Sequence, residues 1–331
     1  MRGVTRVYDL VMTHKLDADD FFIHRVQQHC AEAGLNFFLI EPLWVQTFYE
    51  GLSKGLVWPR VLLNMHSEHH QPEDIYHRLV RLAAEKNAQV IDPLSRALAA
   101  FDKARLHPQL IGAGIHVPHT VIVQADKAAS FQLSEADRLA LGSPFVIKPA
   151  MGYGRRAVVM TATNEGDLAR SVTAWLEQFV KAIEHHDGEL PGLEPTWPNT
   201  DYLLQRIIVP RKLNGAPAYF RVFFVFGSVW YCWWNCYTDH YRLMTAQEAH
   251  DFDLKPLEEI IRRIAALTGM QFFSCEVAQT DSGQFVVIDY VNDQCHMLSQ
   301  SANAQIGVPD ELVAAIAKRL VGATKELIGK R

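Results

Sequence analysis

Charged side chains embedded in apolar strands are what this sequence offers to chemistry. Lys148 stands inside Phe145-Val146-Ile147-Lys148-Pro149 and is followed by Gly152-Tyr153-Gly154. An ammonium on a strand, just ahead of a glycine-containing loop, suits a nucleotide phosphate. It supplies charge, and the glycines let backbone N–H groups approach the oxygens with no Cβ between. The pattern is neither a P-loop nor a dinucleotide fingerprint, and alone it reads first as a surface lysine beside a hairpin. Glu276 lies in Phe273-Ser274-Cys275-Glu276-Val277-Ala278, and Asp289 ends Phe285-Val286-Val287-Ile288-Asp289, with Asn292 and Asp293 just beyond. Carboxylates facing each other from adjacent antiparallel strands, with an amide oxygen, make a hard oxygen set suited to Mg2+ shared with phosphates. Acids in apolar strands are costly to bury unless paired or metal-bound, and salt bridges to nearby arginines are the plain alternative. Arg221, in Tyr219-Phe220-Arg221-Val222-Phe223-Phe224, is a third such charge and a natural partner for phosphate oxygens.

The elements that must position these groups follow from hydrophobic periodicity. Residues 7–12, 35–40, 60–65 and 90–91 read as short buried strands, with helices over 17–33 and 73–85 between them. Strands alternating with helices imply a parallel sheet covered on both faces. A helical stretch from 94 contains Asp102-Lys103, and a strand is expected at 120–123, a helix at 134–141, then a hairpin of 145–149 and 157–160. A long helix over 167–185 leads to a Pro/Gly-rich linker at 188–200. Strands follow at 202–209, 219–226 and 229–235, a helix at 256–267, strands at 272–278 and 284–289, and a closing helix at 310–327.

Taken in order, these motifs resemble the ATP-grasp superfamily, in particular the glutathione-synthetase-like and ribosomal-protein-S6-modification-like carboxylate–amine ligases. The carriers are Asp102-Lys103, Gly114-Ile115-His116-Val117-Pro118-His119-Thr120 and Val146-Ile147-Lys148-Pro149 with Gly152-Tyr153-Gly154. Leu203-Leu204-Gln205-Arg206-Ile207-Ile208, Arg221-Val222-Phe223-Phe224-Val225-Phe226-Gly227 and the acidic strand pair complete the set. Each is loose; their shared order over residues 90–300 makes the resemblance.

The resemblance implies an α/β chain with an α+β lid. An N-terminal parallel-sheet domain (1–93) would precede an ATP-grasp domain (94–331), with a lid at about 119–204 and a C-terminal part at 205–331. It implies ATP as cosubstrate with Mg2+, or alternatively Mn2+. Lys103 and Lys148 would contact phosphates, and Gly152, Tyr153 and Gly154 would form the loop over them. Gln205, Arg206, Ile207 and Ile208 would form the hinge that reads adenine. Arg221 would face the γ-phosphate, Arg242 the acyl phosphate, and Glu276, Asp289 and Asn292 the metal. Two departures stand out. The family often has Glu where this chain has Gln205. It also usually ends in acid-x-Asn, whereas Asp289-Tyr290-Val291-Asn292 carries one extra residue. Either a bulge restores Asn292 or Asp293 replaces it. The implied activity is amide formation through an activated carboxylate. A kinase acting on a small-molecule hydroxyl and a nucleotide-binding protein without turnover are the alternatives.

Other constellations weigh less. His66, His69, His70 and His77 have ligand chemistry but no standard zinc spacing, so structural or second-substrate roles lead. Their loop follows the third N-terminal strand and would face the cleft. Cys232 and Cys236, with the aromatics at Trp230, Tyr231, Trp233, Trp234 and Tyr237, read first as an apolar sheet face. His296 follows the metal strand, with substrate contact and a bystander role equally open. A net charge of −5 over 331 residues argues against nucleic acid and anionic membrane as partners. The expected partners are small-molecule or peptide carboxylates and amines, with a second copy of the chain in a homodimer as an option. Five scattered cysteines and the absence of a signal-like start point to a cytoplasmic protein.

Overall fold

The computed structural model describes residues 5–14, 19–66, 72–152, 157–171 and 200–330. Strands β1 (Arg6–Thr13), β2 (Phe37–Ile40), β3 (Val57–Leu63) and β4 (Gln89–Ile91) form a wholly parallel sheet in the order β2-β1-β3-β4. Both faces are covered, which is why these strands read as apolar runs and not as alternations. Leu10, Met12, Val61 and Leu63 face helix α1 (Asp20–Glu32) and the closing helix Asp310–Gly329. Val11, Ile40 and Leu62 face α2 (Val45–Ser53) and α3 (Ile75–Glu85) on the other side. Helix α2 was not anticipated. It begins only after a turn at Pro42–Trp44, and its buried Val45, Phe48 and Leu52 are too few to stand out as a periodic run.

Helices α4 (Leu94–Phe101) and α5 (Lys103–Gly112) lead into a second sheet, antiparallel and ordered β5-β8-β6-β7. Its strands are β5 (Thr120–Val123), β6 (Phe145–Pro149), β7 (Val159–Ala162) and β8 (Tyr202–Arg206), and α6 (Glu135–Leu141) packs on its core of Phe145, Ile147 and Leu204. The returning strand starts two residues later than expected, after Ala157, which has φ 60°. β8 stops at Arg206, so Ile207 and Ile208 lie beyond it. Most of the expected helix 167–185 and of the linker 188–200 lies outside the described residues.

After the short pair β9 (Lys212–Leu213) and β10 (Ala216–Pro217) comes a five-stranded antiparallel sheet in the order β13-β12-β11-β14-β15. Its members are β11 (Tyr219–Val225), β12 (Ser228–Trp234), β13 (Tyr241–Arg242), β14 (Phe272–Gln279) and β15 (Phe285–Asn292). Phe220, Val222 and Phe224 pack on the helix Lys255–Thr268 through Leu257, Ile261 and Ile264. The opposite face, with Tyr219, Phe223 and Val225, shares one core with Leu10, Met12 and the closing helix. This second face looks toward the N-terminal sheet.

Candidate functional site

Strand register brings three charges together. Arg221 of β11 is opposite Glu276 of β14, and Glu276 is opposite Asp289 of β15. Directly paired residues share a face, so all three stand on the side turned toward the N-terminal sheet. The Arg221 guanidinium donates from Nη1 to the Glu276 carboxylate and from Nε to Ser274 Oγ at 3.0 Å. It lies 5.9 Å from the Trp234 ring centre.

A fourth charge arrives from the second sheet, on β6. Lys148 Nζ donates to Ile288 O at 3.1 Å and meets Asp289 Oδ1 at 3.5 Å. Lys103, at the start of α5, donates from Nζ to Gly152 O at 3.1 Å, and its backbone N–H bonds Ala150 O. Asp102 caps that helix by accepting from Arg105 N at 3.1 Å. Lys103 and Lys148 thus bracket the exit of β6. Gly152 fits there because a Cβ would come within 3.1 Å of Pro149 Cγ.

Burial and charge pull against each other throughout. Burial pushes the Asp289 carboxyl up, but Lys103, Lys148 and Arg221 outweigh it and hold the group below its ordinary value. Burial drives the Lys148 ammonium down, with Lys103 adding to the effect against Asp289 and Glu276. Arg221 is held up against its burial by Tyr241, Glu276 and Asp289. Two adjacent carboxylates, with cations from three different elements around them, are an anion–cation array in a low-dielectric setting.

The extra residue between Asp289 and Asn292 is absorbed by a bulge. Ser274 is opposite Asn292 and Glu276 opposite Asp289, so one residue of β14 spans two of β15. Asn292 thereby returns to the strand position beside Glu276, with Nδ2 at 3.4 Å from Ser274 O. Asp293 is buried, and its charge bears instead on Asp92 at the end of β4. Among the described residues no group of three or more His, Cys, Asp or Glu could hold a metal by itself. The donor set nonetheless fits Mg2+, which takes one or two carboxylates and completes its shell with water and substrate phosphate.

Not every expected residue comes to this face. Arg242 pairs with Trp233, which is opposite Phe220, so it stands on the other side of the sheet from Arg221. There it forms a two-pronged bond to Glu248 at 2.7 and 2.9 Å. Gln205 is buried inside the second sheet, on β8, bonded on both sides through β5 and β6. Arg206 ends the strand and Ile207 and Ile208 continue past it, and Ile208 O accepts from Tyr219 OH at 3.0 Å. Tyr153 and Gly154 lie outside the described residues, as do His69 and His70. His66 stacks on Tyr76 with ring centres 3.6 Å apart, and His296 bonds Ile306 O at 3.1 Å.

One group was not anticipated. Tyr290, directly after Asp289, bonds His107 of α5 and Gln205 of β8, each at 2.6 Å. A tyrosine next to an acid in a strand carries no signal of its own; the contact depends on chain segments far apart in sequence.

No family model matches the chain, and no curated protein matches it. Solved structures do. A RimK domain ATP-grasp protein from Sphaerobacter thermophilus DSM 20745 is similar at 18% identity, covering 96% of this chain and 98% of that one, with a TM-score of 0.58. D-cycloserine synthetase DcsG is similar at 13% identity over 96% and 99%, with a TM-score of 0.60. The ATP-grasp ligase PsnB, complexed with a minimal precursor, Mg and ADP, is similar at 13% identity over 96% and 98%, with a TM-score of 0.57. The similarity runs along nearly the whole of each chain, and this protein has the ATP-grasp fold.

Proposed function

We propose that this protein is an ATP- and Mg2+-dependent ligase that joins a carboxylate to an amine and releases ADP and phosphate. The observation that carries the reading is the convergence of Arg221, Glu276 and Asp289 on one sheet face, met by Lys148 from the lid. In this reading Lys103 and Lys148 bind ATP phosphates, and Gly152 opens the loop that covers them. The segment 206–208, past the buried Gln205, reads the adenine edge. Glu276, Asp289 and Asn292 hold Mg2+ (with Mn2+ as a substitute). When bound, the metal neutralises charge on the transferring phosphoryl group.

Arg221 fixes the oxygens of that group through its planar fork. A carboxylate oxygen attacks the γ-phosphorus and ADP leaves; the amine nitrogen then attacks the acyl carbon and inorganic phosphate leaves. A closed lid keeps water from the activated acyl group. The acid-bearing face looks toward the N-terminal sheet, so the loops at the C-terminal ends of β1 and β3, with His14 and His66, supply contacts to the carboxylate or amine substrate. Five free cysteines, all buried, accord with a reducing compartment. Arg242 has no place in this machinery, since Glu248 holds it on the far face.

The test is a screen of mixed small carboxylates, peptides and amines with ATP and Mg2+, read by ADP release and product mass. The expected product has the mass of acid plus amine less one water. A stable phosphorylated product would replace this reading with a kinase. Binding of ATP–Mg2+ that survives Asp289→Asn, with no ADP from any mixture, would replace it with a binding protein.

A further inference from the structure

The Tyr290 phenol lies where four nucleotide-site elements meet. It is carried by β15 immediately after Asp289, and it is fully buried. His107 Nδ1 stands 2.6 Å from its oxygen, and His107 is one helical turn along α5 from Lys103. Gln205 Nε2 donates to the same oxygen at 2.6 Å and to Thr120 Oγ1 at 3.0 Å, tying in β8 and β5. Lys148 Nζ lies 5.2 Å from the ring centre. One arrangement satisfies every group: Gln205 donates to the phenol, and the phenol donates to an unprotonated His107 Nδ1. The lysine helix and the hinge strand therefore meet the acidic strand at one hydroxyl, and the lysine strand reaches the ring of the same side chain.

We propose that the Tyr290 hydroxyl is a positioning group that sets the lid and α5 against the acidic strand in the geometry that binds nucleotide. The proposal rests on the nucleotide site assigned above. It predicts that removing the hydroxyl loosens Lys103 and Lys148 relative to Asp289 without touching either lysine.

The test is calorimetric titration of the full chain with ADP and Mg2+, beside thermal melts of the same samples. Tyr290→Phe keeps the ring and its packing, and is expected to weaken ADP binding about tenfold, the scale of one buried hydrogen bond. His107→Ala removes the acceptor and is expected to match it. The double variant should be no weaker than either single one, because both break the same chain of bonds. His107→Gln restores an acceptor and should recover most of the affinity. A Tyr290→Phe protein that melts earlier yet binds ADP within twofold of wild type would overturn the proposal, leaving the hydroxyl a purely structural role. Should Tyr290→Phe fail to fold, unchanged ADP binding by His107→Ala would overturn it equally. Absence of ADP binding by wild type would overturn both this proposal and the nucleotide site beneath it.

Discussion

Two arginine–glutamate pairs occupy opposite faces of the same five-stranded sheet. Arg221–Glu276 has side chains only 6% and 15% exposed, whereas Arg242 is 45% exposed above an 11% exposed Glu248. The second pair is self-contained. Glu248 closes a capping box with Thr245, takes two bonds from Arg242 and one from Trp233 Nε1, and its carboxyl is drawn down to about 2, chiefly by Arg242. The first pair is not closed. A second carboxylate, Asp289, stands beside Glu276, and balance comes from Lys148 and Lys103 on other elements. Residue type does not separate the two pairs, although Glu276 comes from a strand and Glu248 from the helix Ala246–Asp251. What separates them is whether the charges are answered locally, because a carboxylate couple held by distant cations can exchange those partners for a ligand.

That contrast can be broken at several points, the largest effect first. Asp289→Asn should lower ATP turnover about a thousandfold in an ADP-release assay while leaving the melting curve close to wild type. Near-normal turnover would dissolve the distinction. Arg221→Met leaves Glu276 buried without its cation and should cost about 3–5 kcal/mol in urea unfolding. Adding Glu276→Leu should return much of that stability and none of the turnover, which sharpens the difference between holding the sheet and using it.

Acid unfolding should separate the regions by pH window. His107 is buried, its imidazole pulled down to about 4 by burial, Lys148 and His119, below its ordinary 6.5. The unfolded chain therefore binds the extra proton between those values, and stability is lost as pH falls from about 6.5 toward 4. Glu248, depressed to about 2, contributes stability that is lost only as pH falls from about 4.5 toward 2. His107→Gln should flatten the upper window relative to wild type, and Glu248→Gln the lower one. The smallest effect is expected from Arg242→Ala, about 1 kcal/mol of stability for a weakened cap, with turnover within about twofold of wild type. A large loss of turnover there would return Arg242 to the site.

Much of this site was legible in the sequence because charge in an apolar strand is expensive and stands out. Lys148, Arg221, Glu276 and Asp289 all announced themselves in that way, and the alternation of strands and helices before residue 93 made the parallel sheet plain. The facing of Arg242 was not legible. It depends on β13 pairing Arg242 with Trp233, a register that a two-residue strand does not encode. The spacing from Asp289 to Asn292 showed that something must give, and only the register of β14 against β15 shows a bulge taking up the slack. Tyr290 and His107 are 183 residues apart, so no local pattern could join them.

The most direct test of the central claim is the fate of a carboxylate oxygen. A mixture of carboxyl-18O-labelled small acids and amino acids would be incubated with the protein, amines, ATP and Mg2+, and the released phosphate examined by mass spectrometry. Attack of the carboxylate on the γ-phosphorus, followed by amine displacement, predicts one 18O in inorganic phosphate for each amide formed and none with Asp289→Asn. Amide or ADP formed with unlabelled phosphate, or phosphate retained on the product, would contradict it.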